Sequence, residues 1–161
     1  MNNFETALSN IDDRVKAYNP MLENIKSMLK KKFEESKAHR EQIIKDLNII
    51  LGRHDSEDFV FSNRAAGDET SYEIRREQNG LRIKIQHADW ITCDALGHWS
   101  IDDVDLDGVE DTLTELNRVD ENNQRFDEVL KAYLRHESLR ADKMKVRFEK
   151  LKAALLNEAN Q

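Results

Sequence analysis

From Phe4 onward, apolar residues recur in alternating steps of four and three: Phe4, Leu8, Ile11, Val15, Tyr18, Leu22, Ile25 and Leu29. This is the apolar stripe of a heptad helix. The stripe turns polar at Lys32, Ser36 and His39, then returns at Ile43, Leu47 and Ile50. Gly52 follows, where a left-handed residue would close the helix. Pro20 interrupts the run without disturbing its phase. Its ring removes one helical donor and pushes Asn19 away from helical geometry. The pattern predicts an N-terminal helical arm over 3–51, kinked near Pro20.

Across 57–101 the period changes to two, which predicts a β head. In "TSYEIRREQNGLRIKIQH", Asn79-Gly80 is the favoured pair for a type I′ hairpin turn. That turn opposes Gln78 to Leu81, Arg76 to Ile83, Ile74 to Ile85 and Tyr72 to His87. Tyr72, Ile74, Leu81, Ile83 and Ile85 then share one buried face, while Glu77 pairs with Arg82 and Glu73 with Gln86 on a solvated face. An isolated hairpin is unstable in water, so "DFVFS" and "HWSI" are expected to add strands.

The heptad step resumes at Val109, Leu113 and Leu116, is polar at Asp120, Asn123 and Asp127, and is apolar again from Leu130 to Leu155. With no Gly or Pro after Gly108, 107–158 reads as one long helix or two abutting helices. If the chain folds back with the sheet at the bend, Lys32 opposes Asp127, Ser36 opposes Asn123 and His39 opposes Asp120. Polar seam residues of this kind set register. The same seams could pair between two chains. The expected class is α+β, mostly α: an antiparallel, coiled-coil-like helical hairpin with a small antiparallel sheet at its tip, forming a single domain over 1–161. The order helix, β-hairpins, helix resembles the layout of prefoldin subunits, a likeness of topology that no residue motif carries.

Composition supports long helices: 35% of residues are charged against a usual quarter, and there are only 5 glycines and 1 proline. A net charge of −7 argues against nucleic acid as the main partner. The single cysteine, Cys93, cannot form an internal disulfide, which fits a reducing compartment. "MNNFETALSN" lacks the basic segment and apolar run of a signal peptide, and no stretch is apolar enough to span a bilayer. A cytoplasmic protein without a membrane partner is expected.

Candidate chemistry is sparse. Asp103, Asp105, Asp107 and Gly108 match the front of a calcium loop. The twelfth position is Thr114, however, with Glu115 one place late, and strand-like sequence precedes the motif. A helix start capped by Asp107 and Glu110 is the favoured reading. His87, Cys93 and His98 could ligate zinc or form a cysteine–histidine pair, but their spacing matches no established signature. No cofactor is called for, and no nucleophile, base and orienter assemble, so an enzyme is not expected.

Trp90 is expected to be an exposed contact residue. Phe33, Ile44, Val129, Tyr133, Leu139 and Leu156 lie off the seams, which calls for a third helix or a second subunit. The expected function is a non-enzymatic protein-binding module (adaptor, chaperone-like holder or inhibitor) working as a homo-oligomer through its arm and head. Trp90 and the stripe around Tyr133 would make the contacts. The alternative is nucleic-acid association through Arg75, Arg76 and Arg82 of the hairpin.

Overall fold

The computed structural model describes residues 2–65, 67–78 and 80–160. Helix α1 (Asn3–Ala17) starts where the Asn2 side chain accepts the Glu5 N–H at 2.7 Å. The chain bends at Tyr18 and continues as α2 (Asn19–Arg53). Pro20 sits in the first turn of α2, where a missing N–H costs least. Tyr18 keeps helical dihedrals and accepts the Leu22 N–H at 3.0 Å, so the expected kink is a bend within one long arm. Gly52 lies inside the last turn of α2 instead of ending it. The left-handed residue that follows is Asp55, at φ 47°.

Four antiparallel strands form a meander in chain order: β1 (Asp58–Ala65), β2 (Asp68–Glu77), β3 (Gly80–Ile85) and β4 (Ile91–Cys93). The mostly helical α+β class expected from the sequence therefore holds. The hairpin register does not. Glu77 pairs with Gly80, Arg76 with Leu81, Ile74 with Ile83 and Tyr72 with Ile85, two residues away from the expected alignment. The expected Asn79-Gly80 turn falls partly on Asn79, outside the described residues. A two-residue slip leaves every side chain on its own face, so the apolar alternation could not detect it. The predicted face survives: Ile74, Leu81 and Ile83 are buried, with Tyr72 and Ile85 packed beside them. "HWSI" forms no strand; Ile91–Cys93 is the fourth.

The return helix is a single element, α3 (Leu106–Ala159). It runs parallel to α2, which corrects the expected antiparallel hairpin and the prefoldin-like layout with it. Ser36 donates to Asp120, His39 meets Asp127, Arg40 donates to Asn123, and Asn123 donates to the Ser36 carbonyl, at near-constant sequence separations of 84, 88, 83 and 87. Partners across an antiparallel pair would instead drift steadily apart in separation. Lys32 lies 3.8 Å from Asp120. The same six polar seam residues meet as foreseen, but Asp120 and Asp127 exchange partners.

Parallel packing requires the chain to travel back along α2 before α3 begins. The sheet makes part of that journey, and an extended strap over 94–102 completes it. Arg40 holds the Asp94 carbonyl at 3.1 Å, Trp99 stacks on Phe33 with ring centroids 4.2 Å apart, and Lys26 holds the Asp102 carbonyl at 3.0 Å. Lys30 also pairs with the Asp102 carboxylate.

Two clusters make the core. The inner face of the sheet packs on Ile43, Leu47, Leu51, Phe126, Val129 and Tyr133. The strap and the start of α3 pack on Leu29 and Phe33 through Ile101, Trp99 and Val109. Phe33, Val129 and Tyr133 are thus covered by strap and sheet, so the third helix expected for them is not required. Leu139 and Leu156 remain exposed.

Arg40 crosses this core at 3% exposure. Its Nε donates to Asn123 Oδ1 at 2.6 Å, and its guanidinium lies 5.0 Å from the centre of the Phe126 ring. Burial pulls its pKa down, while Cys93 and Asp94 pull the other way. Asn123→Leu removes an acceptor from a buried cation and should cost about 2–3 kcal/mol. Asp127→Ala removes only the outer partner of His39 and should barely move the urea midpoint. Equal losses in the two variants would refute the buried pair as the register lock.

Candidate functional site

The D-x-D-x-D-G stretch becomes the start of α3. Asp105 is the N-cap, accepting the Gly108 N–H at 2.9 Å, so the cap falls two residues before the expected Asp107. Gly108 is helical, and a Cβ there would collide with the Val104 side chain. Its glycine admits Val104 and makes no sharp loop turn. Asp107 lies in the first helical turn, where its charge suits the helix dipole. No group of three or more metal-ligating side chains occurs among the described residues, whether at Asp103, Asp105 and Asp107 or at His87, Cys93 and His98.

Cys93 closes β4 on the buried side of the sheet. Burial pushes its thiol up to about 12 from a usual 9.0, although Arg40 pulls it down. A nucleophilic cysteine needs the reverse shift and an accessible sulfur. His87 and His98 are exposed, while Cys93 is enclosed. This trio is therefore three separate side chains.

Strand alternation places Asp58, Glu73, Arg75, Glu77, Arg82 and Lys84 on the outer face of the sheet. Trp90, expected to be exposed, is half-buried there: the Arg75 guanidinium lies 4.6 Å and the Lys84 ammonium 5.7 Å from its ring. Trp90 reaches these cations from beyond the hairpin, so strand spacing alone does not connect them. Three acids stand among these three bases. Arg75 pairs with Asp58 at 3.3 Å and Glu73 at 3.1 Å, and Arg82 with Glu77 at 3.3 Å. Arg76 sits on the helix-facing side, donating to Asn48 at 2.8 Å and Glu57 at 3.0 Å. It ties the sheet to α2 and does not join Arg75 and Arg82.

Tyr133 is buried, its hydroxyl 2.6 Å from His54 Nε2, so it cannot itself be a contact residue. Its neighbours can. Ile49, Leu130 and Leu134 line an apolar groove on the helix face away from the sheet, with Leu134 68% exposed. Leu134 also begins a longer exposed stripe, continuing through Met144, Phe148, Leu151 and Leu155. A matching stripe runs through Phe4, Leu8, Ile11, Val15, Tyr18, Met21 and Ile25. Because α2 and α3 are parallel, these stripes leave opposite ends of the body. α1 precedes the start of α2, and 138–160 extends past Glu137, which Arg53 and His54 hold at 3.6 and 3.4 Å. No residue of α1 and none of 138–160 is buried.

Asp105→Ala should lower stability by about 1 kcal/mol through loss of the cap, and Asp103→Ala should leave it nearly unchanged. Added calcium should give no thermal shift in the wild type; a wild-type shift abolished by both substitutions would restore the ion site. At pH 8 native Cys93 should resist a thiol reagent and react only at the unfolding rate. Rapid labelling of folded protein would contradict the enclosed, high-pKa thiol.

No protein-family model, curated protein or solved structure matches the chain.

Proposed function

We propose that the chain is a non-enzymatic protein-binding module that works as an oligomer, with its two apolar arms and the Trp90 ridge of the β head as contact surfaces. The observation that carries this reading is the pair of exposed apolar stripes on α1 and on 138–160. Most helical stability comes from packing an apolar face, and a 15-residue helix in isolation is marginal in water. α1 has that length and buries nothing, yet repeats an apolar residue at each heptad step. Such a stripe is a surface awaiting a partner. Adaptor, holder and inhibitor roles all fit this chemistry, and a cytoplasmic setting suits the unpaired Cys93. No described helix is long and apolar enough to cross a membrane.

A second reading has one observation in its favour: Trp90 lies beside Arg75 and Lys84, an aromatic among cations of the kind that holds single-stranded nucleic acid. The carboxylates of Asp58, Glu73 and Glu77 on the same face work against it.

Immobilised wild-type protein should retain a cellular protein that Leu151→Glu or Trp90→Ala fails to retain, with the purified pair reproducing the difference and the thermal midpoint unchanged. A labelled single-stranded oligonucleotide should show no anisotropy change at physiological salt. Oligonucleotide binding lost in Arg75→Ala, with no protein retained, would exchange the two readings.

A further inference from the structure

The two exposed stripes have the same length and the same spacing read in opposite directions. Phe4, Leu8, Ile11, Val15 and Tyr18 advance by 4, 3, 4 and 3. Read backwards, Leu155, Leu151, Phe148, Met144 and Ala141 descend by the same steps. Within one chain they cannot meet. The span of α3 beside α2, from 106 to 137, is about 47 Å at 1.5 Å per residue, and the stripes leave its two ends. A second copy turned end over end brings each N-terminal stripe against the other copy's C-terminal stripe, twice, about one two-fold axis.

From this we infer that the chain forms an antiparallel homodimer in which α1 and the first turns of α2 of each copy seat on residues 134–156 of the other. The inference rests on the reading of the arms as contact surfaces and names their occupant. In this register Phe4 lies level with Leu155, Leu8 with Leu151, Ile11 with Phe148 and Val15 with Met144. Ile25 of one copy reaches Leu134 of the other, at the groove that Ile49 and Leu130 complete. Each arm thus covers the stretch of α3 that α2 leaves bare beyond Arg53.

Charge supports the pairing. Residues 138–160 hold Arg140, Lys143, Lys145, Arg147, Lys150 and Lys152 against Asp142, Glu149 and Glu158. α1 holds Glu5, Asp12 and Asp13 against Arg14 and Lys16. Charges flanking a heptad seam choose partner and orientation. Antiparallel alignment sets Glu5 against Lys152 and Asp12 against Lys145 on one flank, with Arg14 against Arg147 on the other. Parallel alignment, with Leu8 level with Ala141, keeps one attraction (Asp12 with Arg140) and sets Arg14 against Lys152. A parallel contact would also be head-to-tail, leaving an unsatisfied stripe on each terminal copy unless a ring closed.

Light scattering of the full chain should give twice 18.8 kDa, and Leu151→Glu should give the single-chain mass with the melting of the body retained. Mild oxidation should join copies of the double variant Leu8→Cys/Leu151→Cys and leave Leu8→Cys/Ala141→Cys unjoined; native Cys93 is buried and does not compete. A single-chain mass for the wild type, a mass that grows with concentration, or joining only through Ala141→Cys would each overturn the dimer. If a monomeric wild type still retained a partner through these stripes, the dimer would fall and the protein-binding reading would stand. If it retained none, both would fall.

Discussion

A buried guanidinium must be satisfied on every side, and Arg40 imposes that demand at the centre of this fold. Asn123 supplies a side-chain acceptor, the Asp94 carbonyl supplies a second, and the Phe126 ring covers a face. These three partners come from α3, the strap and α3 again. Moving α3 by one turn, or reversing it, would strand the cation in an apolar core, where an uncompensated charge costs several kcal/mol. Asn123 also returns a hydrogen bond to the Ser36 carbonyl, so one side chain locks both directions of the contact. Apolar packing holds the helices together, and this polar layer selects their alignment.

Parallel helices distribute the surface differently from a hairpin. In a hairpin both free ends of the helices lie together and can cover one another. Here they lie at opposite poles, so the chain's own packing leaves each stripe bare. The sheet meanwhile covers only one side of the helix pair, leaving the Ile49 and Leu134 side open. The outer face of the sheet carries balanced ion pairs along its strands, with exposures that make each worth little for stability. Its distinctive feature is the aromatic ring beneath Arg75 and Lys84.

Periodicity made the elements legible. The heptad steps located α1, α2 and α3, Pro20 marked the bend, and the alternation from Tyr72 to Ile85 identified the buried face of the head. Direction was not legible, for a definite reason. A seam stepping by three and four looks nearly the same from either end, and Lys32, Ser36 and His39 match Asp120, Asn123 and Asp127 in both senses. The strap that decides the matter has no periodic signal: its information lies in Trp99 stacking on Phe33 and in backbone carbonyls held by Lys26 and Arg40. The hairpin register was hidden for a related reason, since a shift of two preserves every face. Trp90 lay too far along the chain from Arg75 and Lys84 for spacing to connect them.

Parallel pairing also bears on how quickly the chain can find its fold. A helical hairpin closes through contacts near its bend and zips outward. Here the contacts between Ser36, Arg40, Asp120 and Asn123 span 83 to 87 residues, so none can form until the intervening chain has been gathered in. Folding rates fall as contacts become less local. Despite the molecule's helical content, its helix pairing thus has the long-range character of sheet assembly. The β meander and strap are then the step that brings the two helices within reach, and a slow strand pairing would delay every helix contact downstream of it.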